Sequence, residues 1–168
     1  ITAEQFDAIT DKLRGEVRYL YLHLMGEPLL HARLPQFVVM ARNKGFLPIV
    51  TTNGTLLHNA QALAMAKPYK MQISLHSHEG NGKHNPEEYI GNVARFAAQS
   101  AAQGTIVVLR LWNRGGYDSC NRHIEQLLAE HFAEPWVQRH DGWKLTDNIF
   151  LEYDGMFRWP DSTIDECG

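Results

Sequence analysis

The feature that most constrains this chain is a regular alternation of short strand-like patterns with longer helical patterns. Apolar residues recur at helical spacing over 1–13, 34–44, 57–66, 86–103 and 119–132, and strand-like runs occupy 17–25, 46–52, 70–76 and 105–112. Such alternation predicts βα units that build a parallel sheet covered by helices. The expected fold is therefore α/β, as a βα barrel or an open wound sheet.

Both ends of the chain depart from this alternation. The chain opens on a helix with a Thr2-x-x-Gln5 capping signature. Because such a helix ordinarily follows a strand, one first strand is expected to be missing. Near the other end, two short strand-like runs flank Asp154-Gly155, a dipeptide typical of a hairpin turn. We therefore expect a sheet domain over 1–148 and a β-hairpin with a linker over 149–168.

Composition and charge exclude several classes of protein. The net charge of -3 gives no basic excess that would predict nucleic-acid binding. The apolar runs are shorter than the roughly 18 residues that a membrane span needs, so no membrane segment is expected. Cys120 and Cys167 lie too far apart to suggest a disulfide framework. These features together favour a cytoplasmic protein.

The expected strand ends are polar, and α/β folds bind ligands at that end of the sheet. Strand parity places Ser74 and His76 on one face and their apolar neighbours on the other. The same parity predicts that Arg110 is buried, and a buried arginine needs an anionic partner. That partner is either a ligand carboxylate or Glu27 in an internal ion pair, and the sequence leaves both open.

Three motifs at these strand ends resemble, in order and spacing, those of the radical SAM superfamily. They are Gly26-Glu27-Pro28, Thr52-Asn53-Gly54-Thr55 and Ile73-Ser74-Leu75-His76. The tail over 143–168 resembles the segment that precedes the auxiliary-cluster (SPASM) domain of peptide- and protein-modifying members. The resemblance implies a partial parallel (β/α)6 barrel that lacks its first strand.

The resemblance also implies a chemistry. The full-length protein is expected to bind S-adenosylmethionine at a [4Fe-4S] cluster, where an electron cleaves the sulfonium and produces a 5′-deoxyadenosyl radical that abstracts hydrogen from the substrate. The cofactor performs the difficult step. A reductant such as flavodoxin or ferredoxin is implied as the electron source, and a peptide or protein as the substrate.

Site residues carry over from the family motif by motif. Gly26 and Glu27 are expected to receive the methionyl ammonium group. Ser74 and His76 are expected to bind the ribose hydroxyls or the methionyl carboxylate, and Arg110 to balance that carboxylate. No catalytic residue and no metal ligand is assigned in this chain. The expected cofactor-binding residues are Gly26, Glu27, Asn53, Ser74, His76 and Arg110.

The chain departs from the family at the cluster. The CxxxCxxC loop that follows the first strand in the family has no counterpart here, and Cys120 and Cys167 do not replace it. The resemblance therefore implies an inactive internal fragment that ends before any auxiliary-cluster domain and binds neither cofactor alone. A sheet edge left by a missing strand predicts edge-to-edge self-association of such a fragment.

Other interpretations remain open from the residues alone. His76-x-His78, with His23 on another strand, resembles the metal site of a barrel hydrolase, although the paired histidines of such enzymes normally lie on the first strand. A non-enzymatic α/β module would use the same cavity for another small ligand. Asn53 either lines the cavity or caps the following turn. Tyr19 and Tyr21 either floor the cavity or fill the barrel.

Overall fold

The computed structural model describes residues 1–23, 26–75, 85–115 and 119–155. Within these ranges the helices are α1 (Ala3–Leu13), α2 (Leu34–Asn43), α3 (Gln61–Ala66), α4 (Pro86–Ala102) and α5 (Asn121–Ala129). The strands are β1 (Tyr19–Leu22), β2 (Leu47–Thr52), β3 (Lys70–Ser74), β4 (Ile106–Arg114), β5 (Val137–Arg139), β6 (Gly142–Thr146) and β7 (Ile149–Gly155). Short 3-10 helices cover Pro28–Leu30 and Leu57–Asn59. The predicted alternation is confirmed, with bounds that differ by a few residues.

The described strands form one seven-stranded sheet in the order β1-β2-β3-β4-β7-β6-β5. Strands β1, β2, β3, β4 and β7 are parallel, and β6 and β5 extend one edge in the antiparallel sense. Parallel neighbours need crossover connections, and the helices α2 to α5 lie in those connections. The α/β prediction is confirmed, and closure into a partial (β/α)6 barrel stays a prediction.

The two faces of the sheet differ as strand parity predicts. One face packs on the helices and forms the main core, in which Met71, Ile73 and Leu109 are fully buried. We call the opposite face the polar face. Register pairing places on it Tyr19, Tyr21, Thr51, Lys70, Gln72, Ser74, Val108, Arg110, Phe150 and Glu152, together with the apolar Leu47, Ile49 and Ile106. Polar and charged side chains are therefore concentrated on the face that the core does not use.

The capping box predicted at the start of the chain is present. The Gln5 N–H donates to Thr2 Oγ1 at 3.2 Å, and the Thr2 N–H donates to Gln5 Oε1 at 2.9 Å. Helix α1 then packs on α2 through the stacked rings of Phe6 and Phe37, whose centroids are 4.4 Å apart. Within the described ranges, no helix combines the length and apolar character needed to cross a membrane.

The hairpin predicted around Asp154-Gly155 is wrong. Residues Ile149–Gly155 form one strand that pairs with β4 along its length, apart from one irregularity. Hydrogen bonding to a neighbouring strand outweighs the local turn preference of the dipeptide. The hairpin turn lies earlier, at Asp147-Asn148, whose asparagine has φ +61°. Residues 156–159 lie outside the described part of the chain, and the domain boundary at residue 148 stays a prediction.

Strand β1 is the edge strand of the described sheet, and its tyrosines are exposed. Tyr19 is 44% exposed and Tyr21 is 56% exposed, although the sequence predicts that they floor a cavity or fill a barrel. The reason is topological, because β1 pairs with β2 on one side only. Self-association through this edge stays a prediction.

Candidate functional site

One carboxylate anchors the loop after β1 to the end of β2. Glu27 Oε1 accepts hydrogen bonds from the Leu29 N–H at 3.0 Å and from the Thr52 hydroxyl at 2.7 Å. Its Oε2 accepts from the Asn53 N–H at 2.8 Å. A carboxylate has about four acceptor positions, so Glu27 keeps about one for a ligand. Gly26, directly before it, has φ +83°, a conformation that favours glycine.

A buried tyrosine joins the ends of β2 and β3. The Tyr89 hydroxyl lies 2.8 Å from the Asn53 carbonyl oxygen and 3.1 Å from the Ser74 carbonyl oxygen, to which it donates. Burial, with a contribution from the negative charge of Glu27, raises the pKa of Tyr89, so the hydroxyl keeps its proton. Gly54 packs against this ring, where a Cβ atom would lie 2.9 Å from the hydroxyl oxygen. The tyrosine therefore fixes the spacing of two strand ends.

Strand β4 carries a buried arginine with an unused donor. Arg110 is 7% exposed, and its guanidinium carbon lies 2.9 Å from the centre of the Trp112 ring. Its Nη1 lies 3.4 Å from Gln72 Oε1, whereas its buried Nε has no hydrogen-bond partner among the residues that the structure describes. Burial lowers the pKa of Arg110 to about 10, and the nearby charges of Glu152 and Asp154 oppose that shift. The side chain is a desolvated cation at neutral pH, which suits it to an anionic ligand.

Register places three polar side chains in a row across β3, β4 and β7. Ser74 pairs with Arg110, and Arg110 pairs with Glu152. Neighbouring strands are about 4.8 Å apart, so this row spans about 10 Å. In the row below, Gln72 Oε1 also accepts a hydrogen bond from the Thr51 hydroxyl at 2.9 Å. The row combines a hydroxyl, a guanidinium group and a carboxylate at one end of the sheet.

Five of the six predicted ligands are described, and they lie at this end in two adjoining groups. Gly26, Glu27 and Asn53 form one group, which hydrogen bonds join. Ser74 and Arg110 form the other, which strand register joins, and the Tyr89 hydroxyl links the two groups. His76 lies outside the described residues. The roles of all six as cofactor ligands stay predictions.

The structure distinguishes between the alternative roles considered for Arg110 and for Asn53. An ion pair between Arg110 and Glu27 is wrong, since the structure shows none between these two described residues. The turn-capping role of Asn53 is confirmed. Its Oδ1 accepts hydrogen bonds from the Thr55 N–H at 3.0 Å and the Thr55 hydroxyl at 2.8 Å. The cap therefore uses the side-chain oxygen of Asn53, and its backbone carbonyl oxygen faces Tyr89.

The histidine site weighed as an alternative gains no support from the structure. Among the described residues, no group of three His, Cys, Asp or Glu side chains could hold a metal ion. The ring of His23 lies edge-on to Tyr21, with centroids 5.5 Å apart. His76 and His78, which the hydrolase interpretation needs, lie outside the described residues.

Sequence reasoning missed Glu152 and Tyr89. Glu152 lies in residues 149–153, which the sequence predicts as one arm of a hairpin outside the repeating βα unit, so its register with Arg110 is not visible from the sequence. The alternation of Ile149, Leu151 and their polar neighbours is the signal that could have placed it on the polar face. Tyr89 carries no such signal, because it fits the apolar stripe of a helix and its partners are backbone carbonyls.

Comparison with known proteins supports the fold. No known family profile matches this chain, and no curated protein is similar to it in sequence. Among solved structures, it is similar to archaeal TYW1, with a TM-score of 0.50 and 20% identity over 76% of this chain and 49% of the other. The chain thus spans about half the length of that structure. At this identity the likeness concerns the fold. The described chain therefore shares its fold with part of archaeal TYW1.

Proposed function

We propose that this chain forms the S-adenosylmethionine-binding rim of a radical SAM enzyme. The observation that carries the proposal is Arg110, a buried cation beside Ser74 whose Nε has no hydrogen-bond partner among the described residues, in a fold shared with such an enzyme, archaeal TYW1. An unpaired buried donor costs free energy unless a ligand satisfies it. The rim at the ends of β1 to β4 is also where α/β folds bind ligands.

The described residues fit the methionyl end of this cofactor. The unpaired Arg110 Nε suits the carboxylate, and the Ser74 hydroxyl stands next to it in register. The remaining acceptor position of Glu27 suits the ammonium group, which the backbone at Gly26 can approach without a side chain in the way. His76 and Asn53 complete the proposed set.

In this class of enzyme, S-adenosylmethionine and a reduced [4Fe-4S] cluster supply the radical that abstracts hydrogen. The described residues do not fit the cluster, since they contain no group of three thiolate, imidazole or carboxylate ligands. We therefore assign to this chain the contacts to the cofactor and no cluster ligand. We extend the proposal to peptide or protein modification with a flavodoxin or ferredoxin as reductant, supported by the resemblance of the tail over 143–168.

Titration of S-adenosylmethionine into the full-length protein, with its cluster reconstituted anaerobically, tests the assignment. Replacing Arg110 with Gln is expected to weaken binding by at least tenfold, because a hydrogen bond to a charged group contributes about 1.5–3 kcal/mol. Arg114→Gln is the matched control, since Arg114 is exposed on the same strand. Unchanged affinity in Arg110→Gln would overturn the role of Arg110. Failure of the wild type to bind the cofactor, or to release 5′-deoxyadenosine under reduction, would overturn the proposed function.

A further inference from the structure

A groove of about 420 Å³ lies between α5, the segment that follows it, and β6, and we call it the α5 groove. Trp143 of β6 lines it and pairs in register with Leu151, which is buried in the main core. Residues directly opposite each other on paired strands share a face, so the α5 groove lies on the helix-covered face of the sheet. It is therefore separate from the polar face that carries Arg110, and its size suits a small ligand.

Two indole rings form the aromatic wall of the α5 groove. Trp136 and Trp143 are both half-buried, and their ring centroids lie 6.5 Å apart with an interplanar angle of 59°. The Trp136 Nε1–H donates to the Phe132 carbonyl oxygen at 3.0 Å. Burial raises the pKa of Tyr153, and a hydrogen bond from the Trp143 indole opposes that shift. Because both indole N–H groups are bonded within the protein, the rings offer a ligand apolar surface.

Helix α5 supplies a polar rim beside this wall. Arg122, Glu125 and Gln126 are spaced by three and four residues, so they lie on one side of the helix. Glu125 Oε1 accepts a hydrogen bond from the Tyr153 hydroxyl at 2.7 Å, which holds this carboxylate in place. Glu134 adds a second carboxylate to the lining. In the part of the chain that the structure describes, these charged groups form no ion pair.

The rim has charges of both signs, so charge alone selects neither an anion nor a cation. It offers donors on the guanidinium and amide groups and acceptors on the carboxylates and the amide, and a hydroxyl is the ligand group that both donates and accepts. A saccharide has hydroxyls around its ring edge and C–H groups on its ring face, so it matches a mixed polar rim beside an indole wall. A proline-rich segment fits less well, because its carbonyl oxygens only accept and the indole N–H groups are already bonded.

We propose that the α5 groove binds a short, uncharged saccharide. A sugar ring face lies against Trp136 and Trp143, and its hydroxyls bond to Arg122, Glu125 and Gln126. This inference goes beyond the proposed function and does not rest on it, because the groove and Arg110 lie on opposite faces of the sheet.

Nitrogen-15 NMR titrations of this 168-residue chain test the inference with cellobiose, maltose and N,N′-diacetylchitobiose. At least one of these disaccharides is expected to shift the indole N–H signals of Trp136 and Trp143 and to leave that of Trp112 in place. Sorbitol, which has hydroxyls but no ring face, is expected to bind at least about tenfold more weakly. Choline and a decaproline peptide test the two other occupants, a cation and a proline-rich segment.

Two variants locate the contact. Trp136→Ala is expected to weaken binding of the best disaccharide by about tenfold, whereas Trp136→Phe keeps an aromatic wall and most of the affinity. Gln126→Ala is expected to weaken it by about threefold, as the loss of one neutral hydrogen bond requires. His123→Ala, at an exposed position of α5 outside the groove lining, is the control and leaves binding unchanged. Should Trp136→Ala fail to fold, the exposed Gln126 decides the matter.

Four results would overturn the inference. They are no shift of the two indole signals with any of the disaccharides, equal binding of sorbitol, wild-type affinity in Gln126→Ala, and binding of choline or decaproline in place of the disaccharides. Each of them leaves the proposed function standing if S-adenosylmethionine still binds the full-length protein. Conversely, a protein that binds a disaccharide here and does not bind S-adenosylmethionine would keep the α5 groove and lose the proposed function.

Discussion

Glu27 and Arg110 lie at the same end of the sheet, yet they differ in how completely they are bonded. Glu27 accepts three hydrogen bonds, two of which join its loop to the end of β2, whereas the buried Arg110 has an Nε with no partner in the part of the chain that the structure describes. A charged group whose bonds are made within the protein first stabilises the fold. A buried one with bonds to spare is the better candidate for a ligand contact.

Membership of a sequence motif does not show which of these two residues is available to a ligand. Glu27 belongs to one of the three motifs that resemble the superfamily, but most of its bonding capacity is used by the protein itself. Arg110 belongs to no quoted motif, and the structure gives it the clearest opening for an anion. Mutation of Glu27 should therefore mainly lower the stability of the fold, and mutation of Arg110 should mainly weaken ligand binding.

The largest expected effect tests the three hydrogen bonds that Glu27 accepts. Replacing Glu27 with Ala is expected to lower the free energy of unfolding by about 3 kcal/mol, because three donors lose a charged acceptor. Urea unfolding of this chain measures it, with Glu130→Ala at an exposed helix end as the control. A loss no larger than that of the control would mean that the Glu27 bonds are not structural.

The next prediction tests how closely β6 packs on β7, the strand that carries Glu152 beside Arg110. Gly142 has φ +155°, and a Cβ atom there would overlap the Leu151 carbonyl oxygen, so Gly142→Ala is expected to cost about 2 kcal/mol. Gly155→Ala, where a Cβ atom meets no described residue within 4 Å, is the matched control. Equal unfolding free energies for both variants would show that the β5–β6 turn does not need this close approach to β7.

A smaller effect tests the Tyr89 hydroxyl, which links the ends of β2 and β3. Tyr89→Phe removes the hydroxyl that donates to the Asn53 and Ser74 carbonyl oxygens and keeps the ring in the core. The expected loss is about 1 kcal/mol, the contribution of a typical hydrogen bond. Amide hydrogen exchange should also accelerate at the ends of β2 and β3 in this variant. Unchanged exchange there would contradict the bridging role.

The smallest effect concerns protons on Arg110. Burial lowers its pKa from 12.5 to about 10, so the folded protein releases this proton at a lower pH than the unfolded chain. The cost of burying the charge is therefore present at neutral pH and is relieved as pH rises through about 10. The guanidinium carbon-13 shift of Arg110, followed through the alkaline range, measures this lowering. An Arg110 signal that stays constant to pH 12 would refute this, and an added carboxylate ligand should move the midpoint upward.

Local patterns predicted the elements better than their ends. The capping pair Thr2 and Gln5 and the apolar stripe of Pro86–Ala102 act through neighbours in the chain, so the sequence displays them directly. The Asp154-Gly155 dipeptide has an equally clear local preference, but β7 continues through both residues, and Gly155 pairs with Arg114 of β4 after an irregularity at Asp154. The predicted location of a turn thus failed where a distant strand decided the hydrogen bonding.

The sequence by itself determined the α/β alternation, the apolar face of the sheet and the placement of polar residues at the strand ends, because these follow from residue periodicity. Only the tertiary structure decided which of those polar residues are already bonded. Glu27 finds its partners 25 and 26 residues away, and Arg110 meets Glu152 through a strand that the local pattern misplaced. Hydrogen-bond satisfaction depends on contacts between distant segments, and it is this property that separates a structural carboxylate from an arginine available to a ligand.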